Sequence, residues 1–242
     1  MKVSDHGFFT TTQWTMVQAA AALETTSAQQ ALSSLCERYW TPLYFFARRH
    51  GLSEDAARDL TQGFFTFFLE KRVFERADRE RGRFRSFLLT SFKNFMRNEW
   101  DRESAVKRGG SSTLLSLEFE RAESLYRIEP IETRTPEQVY DEQWASTLMD
   151  RVLRRLADEM RRAGYGTRFR VLRRFLTEST RGEGYREAAI ELGISETAVK
   201  VAVHRLRKRV GQLLRTEISD TVSDPRAVDD EIRCLLEVLS AR

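Results

Sequence analysis

The sequence predicts an all-α protein: two small helical domains joined by a flexible linker. Three observations carry that prediction. The 242 residues include only four Pro and twelve Gly among many Arg, Leu, Ala and Glu, a composition that favours helix over sheet. Apolar residues recur at helical spacing through 28–104 and again from 136 onward. Between them, a Gly/Ser-rich run at 106–113 has linker composition, and 111–140 shows no clear helical period, contains Pro130 and Pro136 and carries an acidic excess. The expected organisation is an N-terminal extension at 1–27, a first domain at 28–104, a linker at 105–135, a second domain at 136–219 and a helical C-terminal extension at 220–242.

The N-terminal extension opens with Thr12, Gln13 and Trp14 and a short Ala-rich helix, expected to pack through Phe9, Trp14 and Val17. From Ala28 to His50, Leu32, Leu35, Cys36, Tyr39, Leu43 and Phe46 follow the helical period, and Gly51 ends the run. Pro42 either starts a new helix or kinks this one. Ser53 caps a helix over 54–71, with Glu54 and Asp55 at its positive end. Ala56, Ala57, Leu60, Phe64, Phe67 and Phe68 form its apolar side, while Asp55, Arg58, Asp59, Gln62 and Thr66 stay polar. Phe65 falls off the stripe and is either core or part of a protein-binding patch.

A helix over 84–100 turns Phe84, Phe87, Leu88, Phe92 and Phe95 inward and Arg85, Lys93, Asn94, Arg97, Asn98 and Asp101 outward. A face mixing Asn, Lys and Arg suits bases and phosphates, though such faces are also simply solvated. In the second domain, Trp144, Leu148, Val152, Leu156 and Met160 line one helix that stops at Gly164, and Phe169, Leu172, Phe175 and Leu176 line the next. Near the end, Val228, Ile232, Leu235, Leu236 and Leu239 make a last amphipathic helix.

The most informative stretch is 184–210. Ala188, Ala189 and Leu192 make the inner face of one helix, Gly193 supplies the left-handed residue that stops it, and Ser195 caps the next. That second helix buries Val199, Ala202, Val203, Leu206 and Val210 and turns Lys200, His204, Arg205, Arg207, Lys208 and Arg209 away from the core. Small residues where two helices cross, a glycine at the turn and a polar outer face are what a helix-turn-helix needs to reach base edges. A plain helical hairpin with a solvated basic face is the bland alternative.

Composition excludes other classes. No apolar run approaches the roughly 20 residues of a membrane span, and the N-terminus has no secretory core. Cys36 and Cys234 fit no metal or redox spacing, which points to reduced thiols in a cytoplasm. The three His are far apart, and neither a phosphate loop nor a nucleophile motif occurs, so no enzyme, metal or cofactor is expected. The net charge of +4 is concentrated in two basic blocks, 71–110 and 141–219, which suggests two separate contacts with a polyanion.

With both halves laid out, the chain resembles a bacterial RNA polymerase sigma factor of the sigma-70 family, in the compact extracytoplasmic-function group that keeps only regions 2 and 4. Glu54-Asp-Ala-Ala-Arg-Asp-Leu-Thr-Gln-Gly-Phe-Phe65 is similar to the region 2 segment that grips the polymerase clamp. The 84–98 helix resembles the segment that opens and reads the −10 element, and Tyr185-Arg-Glu-Ala-Ala through Arg209 resembles region 4, which reads the −35 element. Gly63 departs from the family, which usually has an acid there, and the linker and tail are longer than usual. The Thr12-to-Trp14 motif, Lys107-Arg-Gly-Gly and the 218–230 segment look like a planctomycete-type branch.

The resemblance implies core RNA polymerase and promoter DNA as partners, allows an anti-sigma protein, and needs no membrane. It assigns polymerase docking to Asp55, Asp59, Gln62 and Phe65, and the opened −10 strand to Lys93, Asn94, Arg97 and Asn98 with Phe74 as a pocket wall. It assigns the −35 major groove to Ser195, Glu196, Thr197, Lys200, Val201 and His204, with Arg205, Arg207 and Lys208 nearer phosphates. The rival is a stand-alone helix-turn-helix transcription regulator whose first domain is a sensor.

Overall fold

The computed structural model describes residues 26–73, 83–103, 122, 126, 134–177, 183–219 and 227–240. Most of the expected N-terminal extension, Phe74 and most of the 105–135 segment lie outside the described residues. Among the described residues every regular element is a helix. They are α1 (Thr26–Arg49), α2 (Glu54–Glu70), α3 (Phe84–Glu103), α4 (Pro136–Arg162), α5 (Gly166–Leu172), α6 (Arg174–Thr177), α7 (Glu183–Leu192), α8 (Glu196–Ser219) and α9 (Ala227–Ser240). The protein is all-α, as its composition predicts.

The chain divides into two compact units, Met1–Thr147 with Ile218–Arg242, and Leu148–Glu217. The expected start of the second domain at Pro136 therefore falls inside the first unit, and α4 contributes residues to both. The C-terminal helix α9 also belongs with the first unit.

In the first unit α1 is the central element. Pro42 stands inside it without restarting the chain, and every residue from Tyr39 to Ala47 is buried. A helix buried all round must be apolar all round, and this stretch is rich in aromatics. Trp40 stacks on Phe65 of α2 at 5.9 Å and Phe46 meets Phe92 of α3 at 6.0 Å, while Phe64 of α2 meets Phe92 of α3 at 5.1 Å. Gly51, with φ +87, turns the chain into α2. Ser53 caps that helix by accepting from the Ala56 N–H at 3.3 Å.

Arg85, expected on the outer face of α3, is buried at 5% exposure. Two acids draw it in. It pairs with Asp141 of α4 and, at 2.7 Å, with Glu231 of α9, which is itself only 1% exposed. Its guanidinium lies 4.4 Å from the Trp144 ring centroid. The Tyr140 hydroxyl donates to the Arg85 carbonyl at 3.0 Å, and Arg83 adds a second cation to Glu231 at 2.9 Å. Burial pushes the Asp141 carboxyl above its usual range, with the Arg85 charge working against that push. The buried face of α9 is thus Val228, Glu231 and Leu235, and Leu236 of the expected stripe is half exposed.

Two described residues of the segment expected as a flexible linker also pack in this unit. Ala122 is fully buried, and the Tyr126 ring meets Phe45 edge-on at 5.2 Å with the Arg48 guanidinium 4.6 Å from its centroid. Arg49 donates to the Arg134 carbonyl at 2.7 Å. Next to it, α4 begins with a reciprocal capping box: the Thr135 N–H donates to Gln138 Oε1 at 2.8 Å, and the Gln138 N–H to Thr135 Oγ1 at 3.2 Å.

Arg85→Met would leave Asp141 and Glu231 without their shared buried partner. Breaking one side of a buried ion cluster costs about 3–5 kcal/mol. Chemical denaturation followed by tryptophan fluorescence, whose described reporters Trp40, Trp100 and Trp144 all lie in this unit, should show a loss of that order. A loss below about 1 kcal/mol, the range of an exposed pair, contradicts the cluster's role.

Candidate nucleic-acid interface

In the second unit α7 and α8 are joined by a short turn. Helix α7 ends at Leu192, and Gly193, at φ +63, makes the turn. The Ile194 N–H donates back to the Ala189 carbonyl at 3.0 Å, closing the end of α7. Ser195 Oγ then accepts from the Ala198 N–H at 3.2 Å and starts α8. Ala188 and Ala189 on one helix and Val199, Val203 and Leu206 on the other are buried, so the inner faces of both are apolar. Ala202 and Val210, expected in the same stripe, are half-buried.

The opposite face of α8 presents Thr197, Lys200, Val201, His204, Arg205 and Lys208, all exposed, with Val201 at 45%. Ser195 and Glu196 sit at its first turn. Lys200 pairs with Glu196 at 2.7 Å and lies 5.7 Å from the Tyr185 ring centroid. An exposed pair of this kind contributes about 0.3–0.5 kcal/mol, so a base edge can replace it at small cost.

Two arginines of α8 do something else. Arg207, expected near phosphates, donates from Nε and Nη2 to the Phe175 carbonyl at 3.3 and 2.9 Å. A carbonyl at the short helix α6 needs donors, and this fork supplies two. Arg207 is therefore a clamp inside the unit. Arg209 donates to both carboxylate oxygens of Glu159 at 2.8 Å each, tying α8 to α4 within the second unit. That bond holds the Glu159 carboxyl below its usual range.

The first unit carries two further faces. On α2, Asp55 and Asp59 stand exposed, paired with Arg58 at 2.9 and 3.4 Å, and Gln62 is half-buried beside them. Phe65 is not available to a partner. At 1% exposure it is core, because α2 packs aromatic side chains on more than one side and Trp40 covers this ring. An ideal Cβ added at Gly63 would sit 3.5 Å from the Phe95 ring, so a larger side chain there grows along that ring.

On α3, Asn94, Arg97 and Asn98 are exposed together, and the sequence reading missed Trp100, 45% exposed one turn beyond Arg97. Its signal was present: Trp100 falls off the Phe84–Phe92–Phe95 stripe. Lys93 is half-buried and pairs with Glu137 of α4 at 2.6 Å, which holds the Glu137 carboxyl below its usual range. A cavity of about 400 Å³ is lined by Phe67, Phe95, Asn98, Glu99 and Asp101.

Among the described residues no group of His, Cys, Asp and Glu is arranged to hold a metal, and no helix is long and apolar enough to cross a membrane. Neither Cys36 nor Cys234 is joined in a disulfide among the described residues.

The Glu159–Arg209 bond gives a pH test. The Glu159 carboxyl is lowered in the fold, so its contribution is complete above the unfolded value of 4.5 and fades as pH falls through the lower folded value. Glu159→Gln should lower the melting temperature at about pH 7, and the difference from the parent should shrink as pH falls below 4.5 and the folded carboxyl protonates. The pair is partly solvated, so the stability change should stay near 1 kcal/mol. A difference that persists at low pH contradicts the ionic account.

Comparison with protein-family models, with curated proteins and with solved structures returns no match for this chain.

Proposed function

We propose that the chain is an RNA polymerase sigma factor of the extracytoplasmic-function type, working in the cytoplasm and directing promoter-specific initiation. The observation that carries this reading is the outer face of α8: a capped, glycine-turned second helix with Thr197, Lys200, Val201, His204, Arg205 and Lys208 exposed on one side. In the major groove the first turn meets base edges. Lys200 donates to guanine O6 and N7, Glu196 accepts from cytosine N4, and Val201 meets a thymine methyl. Arg205 and Lys208 lie further along and neutralise phosphates. Together these residues read the −35 element, with Arg207 holding the helix in place from behind.

A helix-turn-helix alone fits many regulators. The α3 face of the first unit favours the sigma reading over a stand-alone regulator. Asn94, Arg97 and Asn98 offer amide and guanidinium edges to unpaired bases of the −10 strand, Trp100 offers a stacking face, and the Phe67–Phe95 cavity beside Asn98 offers a pocket for a flipped base. Lys93 joins them by exchanging Glu137 for a phosphate. Asp55, Asp59 and Gln62 on α2 then dock on core polymerase, whose clamp supplies the complementary charge.

Two experiments test the reading. Asp59→Lys with Gln62→Ala should weaken pull-down of core RNA polymerase while the far-ultraviolet helical signal is unchanged; undiminished binding removes this docking face. Promoters selected from a randomised −35 library should separate the roles on α8. Lys200→Ala should cost about 1–3 kcal/mol at one or two base pairs and relax the preference there. Lys208→Ala should weaken all sites alike and reduce the salt slope by about one. A Lys200→Ala protein that keeps the parental preference contradicts the assignment of faces.

A further inference from the structure

We propose that the second unit carries a binding site for a small molecule with an apolar body and one anionic head. A cavity of about 770 Å³ opens beside α8, bounded by the last turns of α4 and by α5. Sites for small ligands span roughly 300–1,000 Å³ and combine an apolar lining with a few placed polar groups. Leu156, Met160, Leu172 and Leu206 give this one its apolar wall. Tyr165, 53% exposed, stands at its rim.

The charge of the ligand follows from the arginines. Three line the cavity, and only Arg209 is occupied, by Glu159. Arg168 has no carboxylate partner among the described residues, and its Nε is buried without a hydrogen bond. Arg205 likewise has no carboxylate partner among them. Two unneutralised guanidinium groups over an apolar wall match a carboxylate on a hydrocarbon or aromatic body, which supplies charge-assisted hydrogen bonds to one and apolar contact to the other. A DNA phosphate reaches Arg205 from outside but leaves the leucine wall uncovered, so the cavity asks for more than DNA.

Val201 and Arg205 line the cavity and also belong to the face assigned to DNA. Occupancy should therefore weaken DNA binding. That consequence rests on the proposed function; the binding site itself does not.

The test uses the full chain and decanoate as the probe, kept below its micelle threshold, with 1-decanol as the uncharged control. Nuclear magnetic resonance titration should show saturable shifts at Ala163, Leu172 and Ala202 with decanoate and much weaker ones with decanol. Arg168→Gln should weaken decanoate about tenfold, the worth of one charge-assisted hydrogen bond, with the helical signal unchanged. Arg168→Lys, which keeps the charge, should retain more affinity than Arg168→Gln. Equal binding of decanoate and decanol overturns the proposal, since it reduces the site to an apolar crevice. Absence of saturable shifts with decanoate overturns it too, as does a −35 duplex that shifts the Arg168 side chain where decanoate does not. Decanoate binding in a chain that recognises no DNA still upholds the site and counts only against the proposed function.

Discussion

The Arg85 guanidinium is the contact on which the first unit depends. Its charge lies under three helices, and taking a cation out of water is expensive unless acids and donors replace the lost hydration. Asp141 comes from α4 and Glu231 from α9, so the cation can be buried only when both helices are in place around α3. The reverse also holds, since Glu231 at 1% exposure pairs with Arg83 and Arg85 among the described residues. One balanced cluster thus explains why the first turns of α4 and the C-terminal helix belong to the aromatic unit. Those elements would otherwise read as parts of a second domain and an appendage.

In the second unit the organising constraint is backbone termination. Short helices leave many carbonyl and amide groups unpaired, and each must find a partner. Gly193 permits the turn, Ser195 satisfies the start of α8, and Arg207 satisfies the Phe175 carbonyl. Arg209 on Glu159 fixes α8 against the last turns of α4 inside the same unit. Arg207 and Arg209 flank the buried stripe of α8, and on the outer face Lys200 pairs with Glu196 and lies over the Tyr185 ring. The exposed row from Thr197 to Lys208 is available for recognition, while its neighbours Arg207 and Arg209 are spent on the fold.

Local signals were legible in the sequence and non-local ones were not. The cap at Ser53, the stop at Gly164, the glycine turn at 193 and the Val199, Val203 and Leu206 part of the α8 stripe all depend on residues a few positions apart, and all appear where their spacing puts them. Arg85 looked like a solvated residue because its partners lie 56 and 146 positions away. Phe65 looked ambiguous because a single-helix stripe does not reveal that α2 is covered on more than one side. Arg207 was grouped with the phosphate-facing cations because a backbone carbonyl acceptor leaves no mark in the sequence. Ala122 and Tyr126 were overlooked although Leu115, Phe119, Ala122 and Tyr126 stand at i, i+4, i+7 and i+11, because Pro130 and the Gly/Ser-rich run at 106–113 made the stretch read as linker.

Transcription from a single mapped promoter in a purified system tests the central claim most directly. Core RNA polymerase alone, this protein alone and the two together would be compared for run-off transcript and for strand opening at the −10 element by permanganate footprinting. The account predicts a discrete transcript and an opened −10 region only when both are present, and loss of opening with Asn94→Ala and Asn98→Ala combined. Tight, site-specific binding by this protein alone, unchanged by core polymerase and without strand opening, would contradict it and identify a stand-alone regulator instead.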